Sequence, residues 1–119
     1  MSPAITVAVA RDPKLVRTVR LVAAAVARRA GRDEQFVEEV RLAVGEACGL
    51  FVSVDSDTPV TVRLDVADRF VVAVEAAGPL PPPVVDGVEP WAVLRGLTDE
   101  FSLVEVGDRT TVELAWALS

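Results

Sequence analysis

Histidine is absent from this 119-residue sequence, and cysteine occurs once, at Cys48. These absences exclude disulfides within the chain, zinc sites built from Cys and His ligands, Ser-His-Asp triads and histidine general bases. Any chemistry must therefore use carboxylates, arginines or hydroxyls. We interpret Cys48 as a small buried apolar residue.

Long apolar runs are also missing, although 51% of the residues are hydrophobic and the mean hydropathy is +0.40. A membrane-spanning helix needs about 20 consecutive apolar residues. The longest run here, 21–27, is mostly alanine and valine and is bounded by arginines. The N-terminal segment does not have the pattern of a signal peptide, because Arg11, Asp12 and Lys14 interrupt it. We therefore expect a cytoplasmic protein that does not enter a membrane.

Basic residues are too few for a nucleic-acid binder, since 12 Lys and Arg stand against 18 Asp and Glu. The resulting net charge of −6 would repel phosphates rather than neutralise them. We therefore expect no DNA or RNA ligand. The same acidic balance suits a basic protein partner, and it equally suits simple solubility.

Hydrophobic periodicity divides the chain into eight segments. Alternating apolar residues predict strands at 4–9, 60–66, 70–75, 101–106 and 110–116. Helical spacing predicts helices from Asp12-Pro13 to about Ala30, from about Asp33 to Val52, and at 91–97. Between 76 and 90 the chain is rich in proline and glycine, which predicts a long loop.

The order β-α-α-β-β, long loop, α-β-β predicts a two-layer α+β sandwich. We expect helices on one face of a mixed, mostly antiparallel sheet. The length leaves room for a single domain, 1–119.

One flank of the second helix has an unusual composition. Leu42, Glu46 and Leu50 are spaced by four residues, so that one carboxylate lies between two leucines. Gly45 and Gly49 occur near this flank and lower the helix propensity. Two glycines inside a helix indicate that another group approaches it closely.

The segment 40–48, Val-Arg-Leu-Ala-Val-Gly-Glu-Ala-Cys, is similar to the N-box helix of bacterial anti-sigma-factor serine kinases. These proteins belong to the GHKL superfamily, together with histidine kinases and type II topoisomerases. The segment 93–100 resembles the helix that follows the second glycine box of the family. Since the predicted order of elements also matches, the resemblance covers nearly the whole chain. It implies a histidine-kinase-like ATPase domain.

The resemblance also implies which residues occupy the N-box positions of the nucleotide site. Glu46 stands where active members have a glutamate that helps to position or activate the attacking group. Leu50 stands where they have an asparagine that binds magnesium. Leucine offers no oxygen to a cation that requires near-octahedral oxygen ligands. Glu46 is therefore expected to be a vestigial position, with no catalytic residue and no metal site.

The two glycine boxes of the family are degenerate here as well. Ala76 replaces the aspartate that accepts a hydrogen bond from adenine, and Gly78 is the glycine that remains of the first box. In the second box, Val88 and Pro90 stand in a segment without glycine, Glu89 repels phosphate, and proline has no amide hydrogen. We therefore predict no nucleotide cofactor.

The family further implies protein partners for the first helix. An arginine in this region of the family contacts both the sigma factor and the competing anti-anti-sigma protein. Arg17 and Arg20 are the candidates, and Arg20 is the better positional match. The alternative is a solvated helix face. Family members dimerise, commonly through the sheet edge and the first helix, so a homodimer is expected.

Together these features predict an anti-sigma factor that sequesters a cytoplasmic sigma factor without ATP binding or kinase activity. An anti-anti-sigma protein with a STAS domain would release it. One alternative is an active serine-protein kinase that acts on an anti-anti-sigma protein. Another is a non-catalytic adaptor module on the same fold. Whether the chain is an enzyme therefore stays open at this point.

Overall fold

The computed structural model describes residues 4–78 and 89–118. In these ranges the elements are β1 (Ala4–Val9), α1 (Pro13–Arg29), α2 (Glu34–Val52), β2 (Val60–Val66), β3 (Arg69–Ala77), α3 (Pro90–Leu97), β4 (Glu100–Val106) and β5 (Arg109–Ala117). The predicted order is confirmed, and the predicted bounds of each element differ from the observed ones by two residues at most.

Both long helices begin at an aspartate that caps them. The Asp12 side chain accepts a hydrogen bond from a backbone amide of the first turn of α1, and Pro13 occupies the first helical position. Asp33 accepts from the amide of Phe36 at 3.0 Å and caps α2 in the same way. Gly31 follows α1 with a φ of 86°, a conformation that glycine adopts without strain. The local sequence therefore fixes where these helices start and where the first one ends.

The sheet is antiparallel throughout, in the order β1-β2-β3-β5-β4. The expected mixed sheet is therefore a wrong prediction in that detail. The sheet contains no parallel pair because of the position of β5. Strands β3 and β4 run in the same direction, but β5 lies between them and pairs with both, so no parallel ladder forms.

The core joins the helical layer to the sheet through three aromatic rings. Phe36 of α2 packs edge-on against Phe70 of β3 at 5.4 Å and against Trp116 of β5 at 6.2 Å between ring centroids. All three side chains are buried. The indole nitrogen of Trp116 donates to the carbonyl of Leu97 at the end of α3, at 2.8 Å. The hydrogen-bonding requirement of the buried indole N–H is thereby satisfied, and the same bond links the end of α3 to the core.

A single arginine before α1 connects distant parts of the chain. The Arg11 guanidinium donates to the carbonyl of Phe51 at 2.7 Å, near the end of α2, and more distantly to the carbonyl of Val54. It also donates to the carbonyl of Ala77, the last residue of β3, and to the carbonyl and hydroxyl of Thr58. A cation at the C-terminal end of α2 also interacts favourably with the negative end of the helix dipole. Nothing in the sequence pattern pointed to this role.

We expect Arg11→Met to lower the free energy of unfolding by about 2–3 kcal/mol, because it leaves partly buried carbonyls without a charged donor. Urea denaturation measures this change. Arg63→Met is the matched control, since Arg63 only pairs with Asp65 on the surface, and its loss costs less than about 1 kcal/mol. Equal losses in the two variants would contradict the connecting role of Arg11.

Candidate functional site

The flank of α2 with the N-box resemblance presents one carboxylate between two leucines, as predicted. Glu46 is exposed to solvent. Leu42 is 44% exposed, whereas Leu50 is half-buried and packs against the hydrophobic core. The side chain at position 50 therefore contributes to packing. In the ranges 4–78 and 89–118 no group of three Cys, Asp or Glu residues is arranged to hold a metal ion.

The end of β3 carries the counterpart of the first glycine box. Ala76 is fully buried and lies opposite Thr110 of β5. Gly78 has a φ of 101°, in the left-handed region that favours glycine, and its amide donates to the carbonyl of Asp108 at 2.8 Å. These contacts hold the end of β3 to the turn between β4 and β5.

The start of α3 carries the counterpart of the second glycine box. Pro90 is the first residue of this helix, and Glu89 precedes it without making a side-chain cap. The Glu89 carboxylate instead accepts a hydrogen bond from Arg95 at 2.8 Å. The helix start therefore presents a carboxylate and a proline, where the family offers amide donors to phosphate. Val88 lies outside the described residues.

Cys48 lies on the buried side of α2, as predicted. Its side chain is fully buried, and this burial raises the pKa of the thiol to about 12. A thiol with that pKa is protonated at neutral pH and is a poor nucleophile. Cys48 therefore contributes to packing rather than to a reactive site.

The first helix is strongly basic in a protein that is acidic as a whole. Between Pro13 and Arg29 it carries no acidic residue and five basic ones, which are Lys14, Arg17, Arg20, Arg28 and Arg29. Arg17 is exposed and Arg20 is half-buried. The charge of α1 itself is therefore opposite in sign to the net charge of −6, although Arg28 pairs with Glu34 of α2.

The side chain of Arg20, on α1, packs against α2 at Gly45, one of the two glycines of α2. A Cβ atom placed on Gly45 would lie only 2.6 Å from Cδ and 3.3 Å from Cγ of Arg20. Real Cβ atoms essentially never approach another heavy atom to 2.6 Å. Gly45 therefore permits the close approach that the glycine content of the helix predicted. The sequence did not indicate that the approaching group is Arg20.

Beside this contact, a groove of about 330 Å³ runs between α1 and α2 and is open to solvent. We call it the α1–α2 groove. Its lining residues are Pro13, Val16, Arg20, Gly49, Val52 and Ser53. Most of this lining is apolar, and Arg20 is its charged member. Sequence reasoning predicted Arg20 as a partner contact, and it gave no indication of the groove beside it.

The fold and these positions define a protein class. The model of the histidine kinase-like ATPase domain family matches residues 9–116, and the chain belongs to this family. Its structure is similar to the crystal structure of the RsbU and RsbW domains of Rv1364c from Mycobacterium tuberculosis, with a TM-score of 0.78 and 18% sequence identity. That match covers 97% of this chain and 32% of the other, so the chain spans about a third of that structure's length.

Among curated proteins, none matches the sequence. The histidine-kinase-like ATPase domain expected from the sequence is thus confirmed by the family model, and its fold by the structural match. Among the described residues, no helix has both the length and the apolar character to span a membrane.

Proposed function

We propose that this chain is an anti-sigma factor of the serine-kinase type. It binds a cytoplasmic sigma factor, keeps it from RNA polymerase, and yields it when an anti-anti-sigma protein with a STAS domain competes for the same surface. The N-box resemblance of 40–48 supports this proposal, and so does the likeness to a structure that contains an RsbW domain. The observation that carries it is the basic surface of α1.

A cationic helix on an acidic protein favours a partner with an acidic surface. The five basic residues of α1 attract such a surface, while the charge of the remaining chain repels acidic proteins elsewhere. The net charge alone suited a basic partner or simple solubility, and the proposal of an acidic partner differs from the first of these expectations. Arg17 and Arg20 are the contacts that the family resemblance assigns on this helix.

We expect the double substitution Arg17→Glu/Arg20→Glu to weaken binding of the sigma factor. Loss of a buried, hydrogen-bonded ion pair costs about 2–5 kcal/mol, which is roughly 30-fold to several thousand-fold in affinity. The measurement is a binding titration with the sigma factor that pull-down from the native cytoplasm identifies.

The matched control is Arg63→Glu/Arg109→Glu, which makes the same change in charge at two exposed arginines of the sheet, away from α1. It should alter the association rate more than the affinity, because rim charges act mainly through steering. A circular dichroism melt shows that each variant is folded. Unchanged affinity in a folded Arg17→Glu/Arg20→Glu protein would move the interface off this part of the helix.

We further propose that the chain neither binds ATP nor phosphorylates its partners. Leu50 packs where a magnesium ligand would be needed, and Ala76 offers no acceptor to adenine. At the start of α3, Glu89 and Pro90 replace the donors that hold phosphate. Phosphorylation by this chain would then be unavailable as a switch. Release of the sigma factor would depend on competition alone, or on a kinase elsewhere.

Calorimetric titration with Mg-ATP should accordingly give no saturable heat at sub-millimolar nucleotide. The variant Leu50→Asn restores one magnesium ligand and should still not bind, because the adenine and phosphate contacts remain absent. A micromolar dissociation constant for the wild-type protein would contradict the proposal and favour an active serine kinase. Binding by Leu50→Asn alone would show that the rest of the site is competent.

We also propose a homodimer that forms through β1. In the described residues β1 pairs only with β2, so its outer edge presents unpaired backbone groups. The strand contains no charge or proline that would protect such an edge. Beside it lies a hollow of about 390 Å³ lined by Ile5, Val26, Arg29, Ala30 and Val66. A second copy would cover both features.

Sedimentation equilibrium should therefore report a dimer, and Ile5→Lys should convert it to a monomer. Ile5 is 42% exposed and lines the hollow, so a lysine there would bring two like charges together in the dimer. Val104→Lys places the same charge on the other edge strand, β4, where Val104 is 50% exposed, and should leave the dimer intact. A monomeric wild-type protein would contradict the proposed interface.

A further inference from the structure

We infer that Gly45 sets the position of Arg20, and that the α1–α2 groove beside it binds an apolar side chain and a neighbouring carboxylate from the acidic partner. This inference rests on the proposed anti-sigma function. It goes beyond that function because it assigns an occupant to the α1–α2 groove and a positioning role to Gly45.

Arg20 of α1 contacts α2 at Gly45. The stem of Arg20 occupies the space that any side chain at position 45 would require, since a Cβ there would lie 2.6 Å from Cδ. One turn later, a Cβ on Gly49 would meet nothing within 4 Å. The two glycines therefore differ: Gly45 accommodates the arginine, whereas Gly49 leaves the groove open.

The lining of the groove is mostly apolar, and Arg20 is its charged member. Pro13, Val16 and Val52 provide apolar surface, and the hydroxyl of Ser53 already donates to the carbonyl of Leu50 at 2.7 Å. Within the described ranges Arg20 forms no hydrogen bond or ion pair, although it is half-buried. A guanidinium has five N–H donors in a planar fork that matches a carboxylate. The groove thus offers apolar contact beside a strong carboxylate donor.

The charge and the size of the groove indicate what occupies it. Neither α1 nor the groove lining contains an acidic residue, and Arg17 and Lys14 are exposed on the same helix. Glu46, next to Gly45 on α2, is exposed and forms no ion pair with Arg20 within the described ranges, so the guanidinium is available to an incoming carboxylate. A groove of about 330 Å³ holds a few side chains rather than a whole helix. We therefore assign it to an aspartate or glutamate of the sigma factor together with an adjacent apolar residue.

The test is Gly45→Ala, which displaces Arg20 without removing any charge. Its affinity for the sigma factor should fall about tenfold or more, to a value similar to that of Arg20→Ala. If the glycine acts through the arginine, Gly45→Ala/Arg20→Ala should bind no more weakly than Arg20→Ala. Gly96→Ala in α3 is the matched control, because an added Cβ there meets nothing within 4 Å, and it should bind like wild type.

A second variant tests the groove itself. Gly49→Ala adds a methyl group to the lining without touching Arg20, so it should weaken binding if the partner fills the groove. Wild-type affinity in Gly49→Ala would overturn the assigned occupant. Wild-type affinity in a folded Gly45→Ala protein, or additive losses in the double variant, would overturn the positioning role.

A measurement without a partner separates this inference from the proposed function. The Nε–H resonance of Arg20 should shift in Gly45→Ala and stay in place in Gly96→Ala, and an unchanged resonance would overturn the positioning role. If the wild-type protein binds no sigma factor, the proposed function fails and the assigned occupant with it. The resonance would still report whether Gly45 sets the position of Arg20.

Discussion

The arrangement of the two layers depends on the hydrogen bonds of Arg11. Its guanidinium reaches Phe51 and Ala77, which lie 40 and 66 residues further along the chain. It therefore holds the end of α2, in the helical layer, beside the end of β3, in the sheet. The residues with the N-box and first-box resemblance lie on these two elements. A flexible point charge could not satisfy the same carbonyls at once, because only the guanidinium has a fork of fixed donors.

The sequence predicted the elements well because each is encoded by neighbouring residues. Strand β2 alternates, α2 keeps a gapless apolar face, and the caps at Asp12 and Asp33 are local hydrogen bonds. The order of strands is not local in this sense. The insertion of β5 between β3 and β4 depends on pairing between distant segments, which periodicity does not record.

The candidate site was predictable in part for the same reason. The glycines of α2 indicated a close approach, since they weaken the helix without an evident local benefit. Arg20 was identified by resemblance, but its contact with Gly45 joins two helices and became visible only in three dimensions. The groove beside it could not be predicted, because it forms only when residues of α1 and α2 come together in the fold. The role of Arg11 left no signal, because an arginine before a capped helix is common on protein surfaces.

The position of β5 also constrains how the chain folds as it is synthesised. Strand β3 leaves the ribosome well before its partner β5, and β4 follows with no strand yet available to pair with. Until β5 emerges, β3 presents a long unpaired edge, and the buried ring of Trp116 is missing from the core. Such edges promote aggregation of nascent chains. The nascent domain is therefore most in need of chaperone protection between the emergence of β3 from the ribosome and the emergence of β5.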